Sequence, residues 1–141
     1  MQKDIIYEVV TSANSDELID LYKEGGWWNE NISERSNLPI LIKNSFCFMV
    51  VKNLEGKIVG MGRVISDGVS DGYIQDVIVS KLYRNKGIGK ELVLKLRDHC
   101  LSKGLTWIGL IAEPGTKEFY VKQGFHEMVD YKPMLLKVND I

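Results

Sequence analysis

The sequence predicts a mixed α/β fold, a three-layer α/β/α arrangement in which helices cover both faces of a central sheet. One observation behind this fold class is the order of segments with strand and helix periodicity, which is βααβββαβαββ along the chain. A second is that three consecutive strands form an antiparallel meander and the next strand follows through a helical crossover. One sheet must then contain both kinds of pairing. A crevice can open where they meet, and ligands prefer such positions at strand ends.

The composition is that of an ordinary globular chain. Its 141 residues are enough for one domain, residues 1–141, with a single core, and 45% of them are hydrophobic. The formal net charge of -1 gives no basic surplus of the kind that nucleic-acid binders show. No signal peptide or membrane-spanning run is visible, so we expect a cytoplasmic protein with neither nucleic acid nor membrane as a partner. Cys47 and Cys100 lie in apolar runs and are expected to be buried free thiols.

The first third of the chain predicts one strand and two helices. Residues 5–10 are the strand candidate, and residues 14–24 have the apolar spacing of a helix. Asn14 and Glu17 have the spacing of a capping box at the helix start. The polar and aromatic segment that follows is expected to be a loop. A short second helix comes next, with Pro39 in its first turn.

The middle of the chain predicts the antiparallel meander. Residues 46–51 and 57–65 are its first two strands, and the turn between them is residues 53–56. A second turn over residues 67–72 leads to the third strand of the meander, residues 73–79.

The last third of the chain predicts the crossover helix, a parallel strand and a short final helix. The crossover helix runs from about Gly87 to Lys103, with an apolar stripe along one side. The fifth strand, residues 106–112, should pair parallel with the fourth. A short helix over residues 116–123 comes next, and the alternating tail, residues 125–138, is expected to supply one or two final strands. The stripe consists of Ile88, Leu92, Val93, Leu96 and Cys100.

The connection between the fourth strand and this helix has the features of a phosphate site. The first turn of a helix offers backbone N–H groups without intrahelical partners and a partial positive charge. Gly87 and Gly89 let a phosphate approach these donors closely. Arg84, Lys86 and Lys90 add full positive charges around them.

Two common phosphate motifs do not fit this connection. A P-loop needs a magnesium-binding hydroxyl where Glu91 stands, and its first glycine position is Arg84. A dinucleotide fingerprint needs a third glycine where Leu92 stands, and it does not follow an antiparallel meander.

A third pattern fits. Residues 84–89, read as Arg-x-x-Gly-x-Gly after a strand, are similar to the Gln/Arg-x-x-Gly-x-Gly/Ala acetyl-coenzyme A (acetyl-CoA) motif of GCN5-related N-acetyltransferases, the GNAT superfamily. Residues 119–125, read as Phe-Tyr-x-x-x-Gly-Phe, resemble a second segment of that family. The resemblance covers essentially the whole chain. It implies the acyl-CoA N-acyltransferase fold, with the sheet splayed between strands 4 and 5, and acetyl-CoA as cosubstrate without a metal.

The resemblance implies that backbone groups make most of the cofactor contacts. The N–H groups from about Lys86 to Lys90 would bind the pyrophosphate, with Arg84 and Lys90 adding charge-assisted contacts. The fourth strand would contain a bulge whose unpaired backbone groups bind the pantetheine arm and the acetyl oxygen. The implied cofactor-binding residues are Val77, Ile78, Val79, Arg84, Asn85, Lys86, Gly87, Ile88, Gly89 and Lys90.

Catalytic roles come from the same resemblance. Tyr120 would protonate the departing thiolate of coenzyme A. Asp76, an acidic residue in an apolar strand, would accept the amine proton directly or through a water; alternatively it is a structural carboxylate held by backbone amides or a cation. Glu113 and Glu30 are the reserve candidates for the base. Neither cysteine has a recognisable His partner in sequence, so direct attack within a ternary complex is expected.

Five more residues have two interpretations each. Trp27 and Trp28 would wall the acceptor pocket and suit an aromatic or cationic amine, or they pack in the core. Pro114, Gly115 and Lys117 would touch the pantetheine and adenine, or they only begin a helix.

The expected function is acetyl transfer from acetyl-CoA to a primary amine of a small molecule or peptide. The alternative is a non-catalytic acyl-CoA sensor or assembly module. His99 and His126 lack metal-ligand spacing with either cysteine, so no metal site is expected. The acceptor and the oligomeric state are open in the sequence, although a homodimer through the C-terminal strands is common for this resemblance.

Overall fold

The computed structural model describes residues 4–138. These residues form two compact units, of which the first ends at Leu110 and the second begins at Ile111. In the first unit the described residues form the strands β1 Ile6–Val9, β2 Cys47–Lys52, β3 Ile58–Ile65, β4 Asp71–Val79 and β5 Trp107–Leu110, and the helices α1 Ser15–Glu24, α2 Leu38–Asn44 and α3 Ile88–Ser102. In the second unit they form the helix α4 Lys117–Val121.

The strands of the first unit make one mixed sheet in the order β1-β2-β3-β4-β5. Neighbours from β1 to β4 pair antiparallel. β4 pairs parallel with β5, from Asp71 opposite Trp107 to Ile74 opposite Leu110. These pairings confirm the predicted meander and the parallel crossover. β4 begins earlier than predicted because Asp71 and Gly72 join the parallel ladder instead of the turn.

Helices cover both faces of this sheet. Successive side chains of a strand point to opposite faces, and Met61 and Gly62 of β3 show what each face contacts. Met61 lies in a buried cluster with residues of α1 and α2. Gly62 faces α3, since a Cβ built on it would lie 2.7 Å from Leu96 of that helix. The mixed α/β fold with three layers is therefore confirmed within the first unit.

The apolar stripe predicted for α3 is buried as a whole, from Ile88 to Cys100. Cys47 of β2 and Cys100 are both free thiols with no exposed surface, as the sequence predicts. Burial raises the pKa of the Cys47 thiol to about 11 and also raises the pKa of Cys100. Both thiols are therefore protonated at neutral pH and are weak nucleophiles.

α1 begins where the sequence predicts, but it uses only half of a capping box. The Asn14 side chain accepts a hydrogen bond from the N–H of Glu17 at 3.0 Å. The Glu17 carboxylate does not return this contact and instead accepts a bond from the N–H of Ile58 at 3.1 Å. Glu17 thereby ties the start of α1 to the first residue of β3.

The prediction of final strands in residues 125–138 is wrong, because the structure has no strand there. Most apolar side chains of this tail are exposed, with Met134 at 90% and Leu135 at 96%. Exposure gives no apolar burial to offset the conformational entropy lost on forming strands. Asp130 adopts a φ of 68°, and Pro133 has no N–H for a ladder.

Candidate active site

The fourth strand contains a bulge at Asp76 and Val77. Arg63 of β3 pairs with Gln75, and Met61 pairs with Ile78, so one residue of β3 faces two of β4. Asp76 has a φ of 59°, in the left-handed region that Asp tolerates better than most residues. The bulge that the family resemblance implied for this strand is thus confirmed.

The bulge removes backbone groups of β4 from the sheet ladders. Asp76 and Val77 have no paired residue in β3. On the other side, pairing with β5 ends at Ile74, while β4 continues to Val79. The N–H and C=O groups of Asp76 and Val77 are therefore placed to bind an extended ligand beside β4. This is the local geometry expected of a sheet splayed between its fourth and fifth strands.

Asp76 is held by two side chains, Arg63 and Tyr22, that belong to none of the sequence motifs. Its Oδ2 accepts a hydrogen bond from Nε of Arg63 at 2.7 Å and another from the hydroxyl of Tyr22 at 2.8 Å. Nη2 of Arg63 also donates to Oε1 of Gln75 at 3.1 Å. The structure therefore shows the Asp76 carboxylate held by a cation, the guanidinium of Arg63. Within the described residues, no hydrogen bond involves its Oδ1.

This cluster is largely sealed from water. The side chains of Arg63 and Asp76 are 15% and 13% exposed. The pKa of Tyr22 is raised far above its usual value, mainly by burial and secondly by the negative charge of Asp76. The Tyr22 hydroxyl therefore stays protonated and acts as a donor. The Tyr22 ring contacts both Trp27 and Trp28, with centroids 6.2 Å and 6.5 Å away.

The two tryptophans pack against the buried cluster of α1 and α2, which confirms the core-packing interpretation. Glu30, a reserve candidate for the base, is 73% exposed and its carboxylate lies 3.2 Å from Nζ of Lys23. The structure therefore places Glu30 in a surface ion pair.

The segment after β4 is anchored to α1 before it reaches the glycines. A short 3-10 turn, Lys81–Tyr83, begins it. The Glu24 carboxylate accepts bonds from the Lys81 N–H at 3.0 Å and the Ser80 hydroxyl at 3.3 Å. Nε of Arg84 donates to the Val79 carbonyl at 2.8 Å, and its Nη2 lies 3.7 Å from Glu24. Arg84 therefore fixes the segment to the end of β4 as well as adding charge.

The glycine turn itself has an open backbone. Asn85 and Gly87 have φ values of 62° and 78°, and Gly87 is the N-cap of α3. The first bond of the helix runs from the Glu91 N–H to the Gly87 carbonyl at 3.1 Å. The N–H groups of Ile88, Gly89 and Lys90 thus have no partner within the helix. No atom lies within 4 Å of a Cβ built on Gly87, so a phosphate has room there.

Positive charge surrounds this turn. Lys86 and Lys90 are exposed, and Nζ of Lys86 lies 5.6 Å above the ring of Tyr83. The Tyr83 hydroxyl in turn accepts a bond from the side chain of Asn53 at 3.1 Å. The donors, the space and the charge all fit a diphosphate, as the sequence predicts.

Tyr120 lies in the second unit, in α4. Its ring makes edge-on contacts with Phe119 and Phe125, with centroids 5.0 Å and 6.1 Å away. Burial raises the pKa of Tyr120, and the charge of Glu113 adds to the effect. The phenol therefore stays protonated through the neutral range, as a proton donor must. Lys117, at the start of α4, bonds Glu127 at 3.0 Å.

Among residues 4–138, no group of three or more His, Cys, Asp or Glu side chains is arranged to hold a metal ion. His99 packs edge-on against Phe46, with centroids 5.7 Å apart, and burial lowers its pKa. The same residues form no helix long and apolar enough to cross a membrane.

The first unit defines a class of α/β proteins that present a bulged strand and an open helix N-terminus to a phosphate-bearing ligand. The particular family follows from comparison with known proteins. The chain belongs to the acetyltransferase (GNAT) family, whose family model matches residues 7–125. Members of this family in general use acetyl-CoA.

Individual relatives are distant. An uncharacterized N-acetyltransferase of Pyropia yezoensis is 29% identical over 126 residues, which is 87% of this chain and 71% of the relative. A glucosamine 6-phosphate N-acetyltransferase of Trypanosoma brucei brucei is 30% identical over 101 residues, 67% of this chain and 66% of the relative. Against three plant relatives, the aligned part spans 29%, 52% and 57% of their lengths.

Solved structures confirm the fold. A probable acetyltransferase from meticillin-resistant Staphylococcus aureus superposes with a TM-score of 0.81 at 21% identity, covering 95% of this chain and 99% of that one. At this level of identity the likeness supports the fold alone.

Proposed function

We propose that the protein transfers an acetyl group from acetyl-CoA to a primary amine, by direct attack within a ternary complex. The observation that carries this proposal is that the bulge of β4 and the open N-terminus of α3 follow each other in the chain. The bulge of β4 exposes backbone groups, and the N-terminus of α3, which comes next in the chain, exposes further donors. A ligand in which an amide-bearing arm is attached to a diphosphate matches both features.

The turn before α3 binds the pyrophosphate in this proposal. The N–H groups of Ile88, Gly89 and Lys90 donate to its oxygens, and Lys86 and Lys90 neutralise charge. Arg84 contributes from its anchored position beside Val79. Backbone amides make these contacts, so the site depends on a small residue at Gly87.

The bulge binds the reactive end. The backbone groups of Asp76 and Val77 hold the pantetheine arm and the acetyl carbonyl, with Ile78 and Val79 continuing the contact. When bound, acetyl-CoA supplies a thioester carbonyl that the amine attacks. A backbone N–H near Val77 stabilises the negative charge that develops on the carbonyl oxygen.

Two side chains move protons. Tyr120 protonates the thiolate as coenzyme A leaves. Asp76 accepts the amine proton through Oδ1, directly or by way of a water, with Glu113 and Glu30 as alternatives. Both cysteines are buried and protonated, which supports direct attack instead of an acetyl-enzyme.

The names of two relatives suggest which acceptor amines to test first. One relative acts on glucosamine 6-phosphate and another is a histone acetyltransferase of Glycine max, 29% identical over 136 residues. Amino sugars and peptide amines are therefore the first acceptors to screen.

The test is to incubate the protein with acetyl-CoA and an amine panel while free thiol is measured. Tyr120→Phe should lower kcat about 100-fold, the usual size of a general-acid contribution, with little change in acetyl-CoA affinity. Tyr131→Phe is the matched control, because Tyr131 is 71% exposed in the same unit, and it should leave kcat unchanged. Tight acetyl-CoA binding with no amine-dependent thiol release would instead support a non-catalytic sensor.

The pH profile gives a second readout. Tyr120 acts in its protonated form, and its pKa is raised above the ordinary value of 10.0. The loss of activity due to this phenol should therefore begin only above pH 10 and should be absent in Tyr120→Phe. A basic limb that begins well below pH 10 in the wild type and disappears in the variant would contradict the raised pKa.

A further inference from the structure

Arg63 contacts two consecutive residues of β4, and a regular strand does not allow this. In a regular strand Gln75 and Asp76 would point to opposite faces of the sheet. The bulge and the left-handed φ of Asp76 turn both side chains toward the α1 face, where one guanidinium bonds both. We call these two contacts, from the Arg63 guanidinium to Gln75 and to Asp76, the fork. The fork can form only when the strand is bulged, and it in turn supports the bulge.

Breaking the fork would also cost folding free energy. Arg63 and Asp76 are mostly buried, and removing either one leaves the other charge without its partner in a poorly hydrated site. Tyr22 adds a second donor to the same carboxylate oxygen, from a helix on the same face of the sheet. Straightening β4 would turn Asp76 away from both donors. The cluster thus holds β4 in its bulged form.

We propose that Arg63 is a positioning residue, which holds the β4 bulge in the conformation that presents the backbone of Asp76 and Val77 to the thioester arm of the cosubstrate. This inference rests on the proposed function. In this role the Arg63 side chain acts through its bonds to Gln75 and Asp76 and does not react with the substrates itself. It holds the side chains of Gln75 and Asp76, and these fix the backbone of Asp76 and Val77, which pairs with neither β3 nor β5.

Two ligands separate this role from a general loss of structure. Acetyl-CoA should use both the bulge and the turn before α3. Adenosine 3′-phosphate 5′-diphosphate contains the pyrophosphate but no pantetheine arm, so it should use only the turn. Arg63→Met should weaken acetyl-CoA binding about 10-fold, which corresponds to roughly 1.4 kcal/mol of binding free energy. It should change the affinity for adenosine 3′-phosphate 5′-diphosphate less than about 2-fold. Calorimetric titration well below the melting temperature measures both.

Milder variants and a control complete the test. Gln75→Met removes one arm of the fork without changing charge and should weaken acetyl-CoA binding about 3-fold. Arg63→Lys retains the charge and loses the fork, so it should fall between Gln75→Met and Arg63→Met. Both serve if Arg63→Met does not fold. Arg35→Met removes an exposed ion pair with Asp16 and should alter neither affinity.

The outcomes are distinguishable. Equal weakening of both ligands in the Arg63 and Gln75 variants would overturn the positioning role in favour of a general structural one, and unchanged binding of both would overturn it outright. If the wild-type protein binds neither ligand, the proposed function fails, and the inference about Arg63 fails with it.

Discussion

The bulge of β4 and the glycine turn before α3 both contain left-handed residues, yet they are held in opposite ways. Asp76, with a φ of 59°, is locked by hydrogen bonds from two buried side chains. Gly87, with a φ of 78°, has open space where a side chain would be. The bulge is therefore a product of side-chain packing across the sheet, whereas the turn is a product of local backbone freedom. The two should respond to different mutations.

The largest effect should come from the buried charge at the bulge. Asp76→Asn retains a residue that tolerates the left-handed region but leaves Arg63 without a counterion. We expect a loss of about 3 kcal/mol in the free energy of unfolding, as is typical when one partner of a buried pair is removed. Urea unfolding followed by circular dichroism measures it.

Asp16→Asn is the matched control for Asp76→Asn, because it also removes the carboxylate of an Arg–Asp pair. The Asp16–Arg35 pair is exposed, with side chains 74% and 58% accessible, so no measurable change in stability is expected. Equal effects of the two variants would mean that the Arg63–Asp76 cluster does not lock the bulge.

A comparable effect on binding should come from the turn. Gly87→Glu places a bulky anion among the donors of the α3 N-terminus, and we expect acetyl-CoA affinity to fall at least about 100-fold. The fold should survive, since no atom lies within 4 Å of a Cβ built on Gly87. Isothermal titration calorimetry and a melting curve separate the two effects.

Gly104→Glu controls for backbone strain in Gly87→Glu. Gly104 has a φ of 86°, follows the other end of the same helix and also has open space around its Cβ position. Its substitution should cost similar stability and leave acetyl-CoA affinity intact. If Gly87→Glu bound acetyl-CoA as tightly as Gly104→Glu, the segment would be only a turn.

The smallest effect should come from the side chain that supports the turn. Glu24→Gln retains an acceptor for the Lys81 N–H but removes the charge facing Arg84, whose side chain is 47% exposed. We expect less than about 1 kcal/mol of lost stability and less than a 3-fold change in acetyl-CoA affinity. A thermal melt and a titration test this. A 10-fold change in affinity would show that side chains, and not only the backbone, shape the turn.

The elements that the sequence predicted well are those whose signals are local. The stripe of α3 and its end near Lys103 recur in the structure because helical spacing and the signals that end a helix act over a few residues. The prediction of strands in residues 125–138 was wrong because alternation favours a strand only where one face becomes buried. Here most of the apolar side chains stay exposed.

The sequence by itself determined the glycine turn before α3 and predicted a phosphate ligand for it, because glycines, basic residues and a helix start lie next to one another in the chain. Only the tertiary structure decided the state of Asp76. Its partners, Arg63 and Tyr22, stand 13 and 54 positions away, and no local pattern reports their approach. Backbone turns are encoded by neighbours in sequence, while a buried ion pair forms only when the sheet and α1 bring distant side chains together.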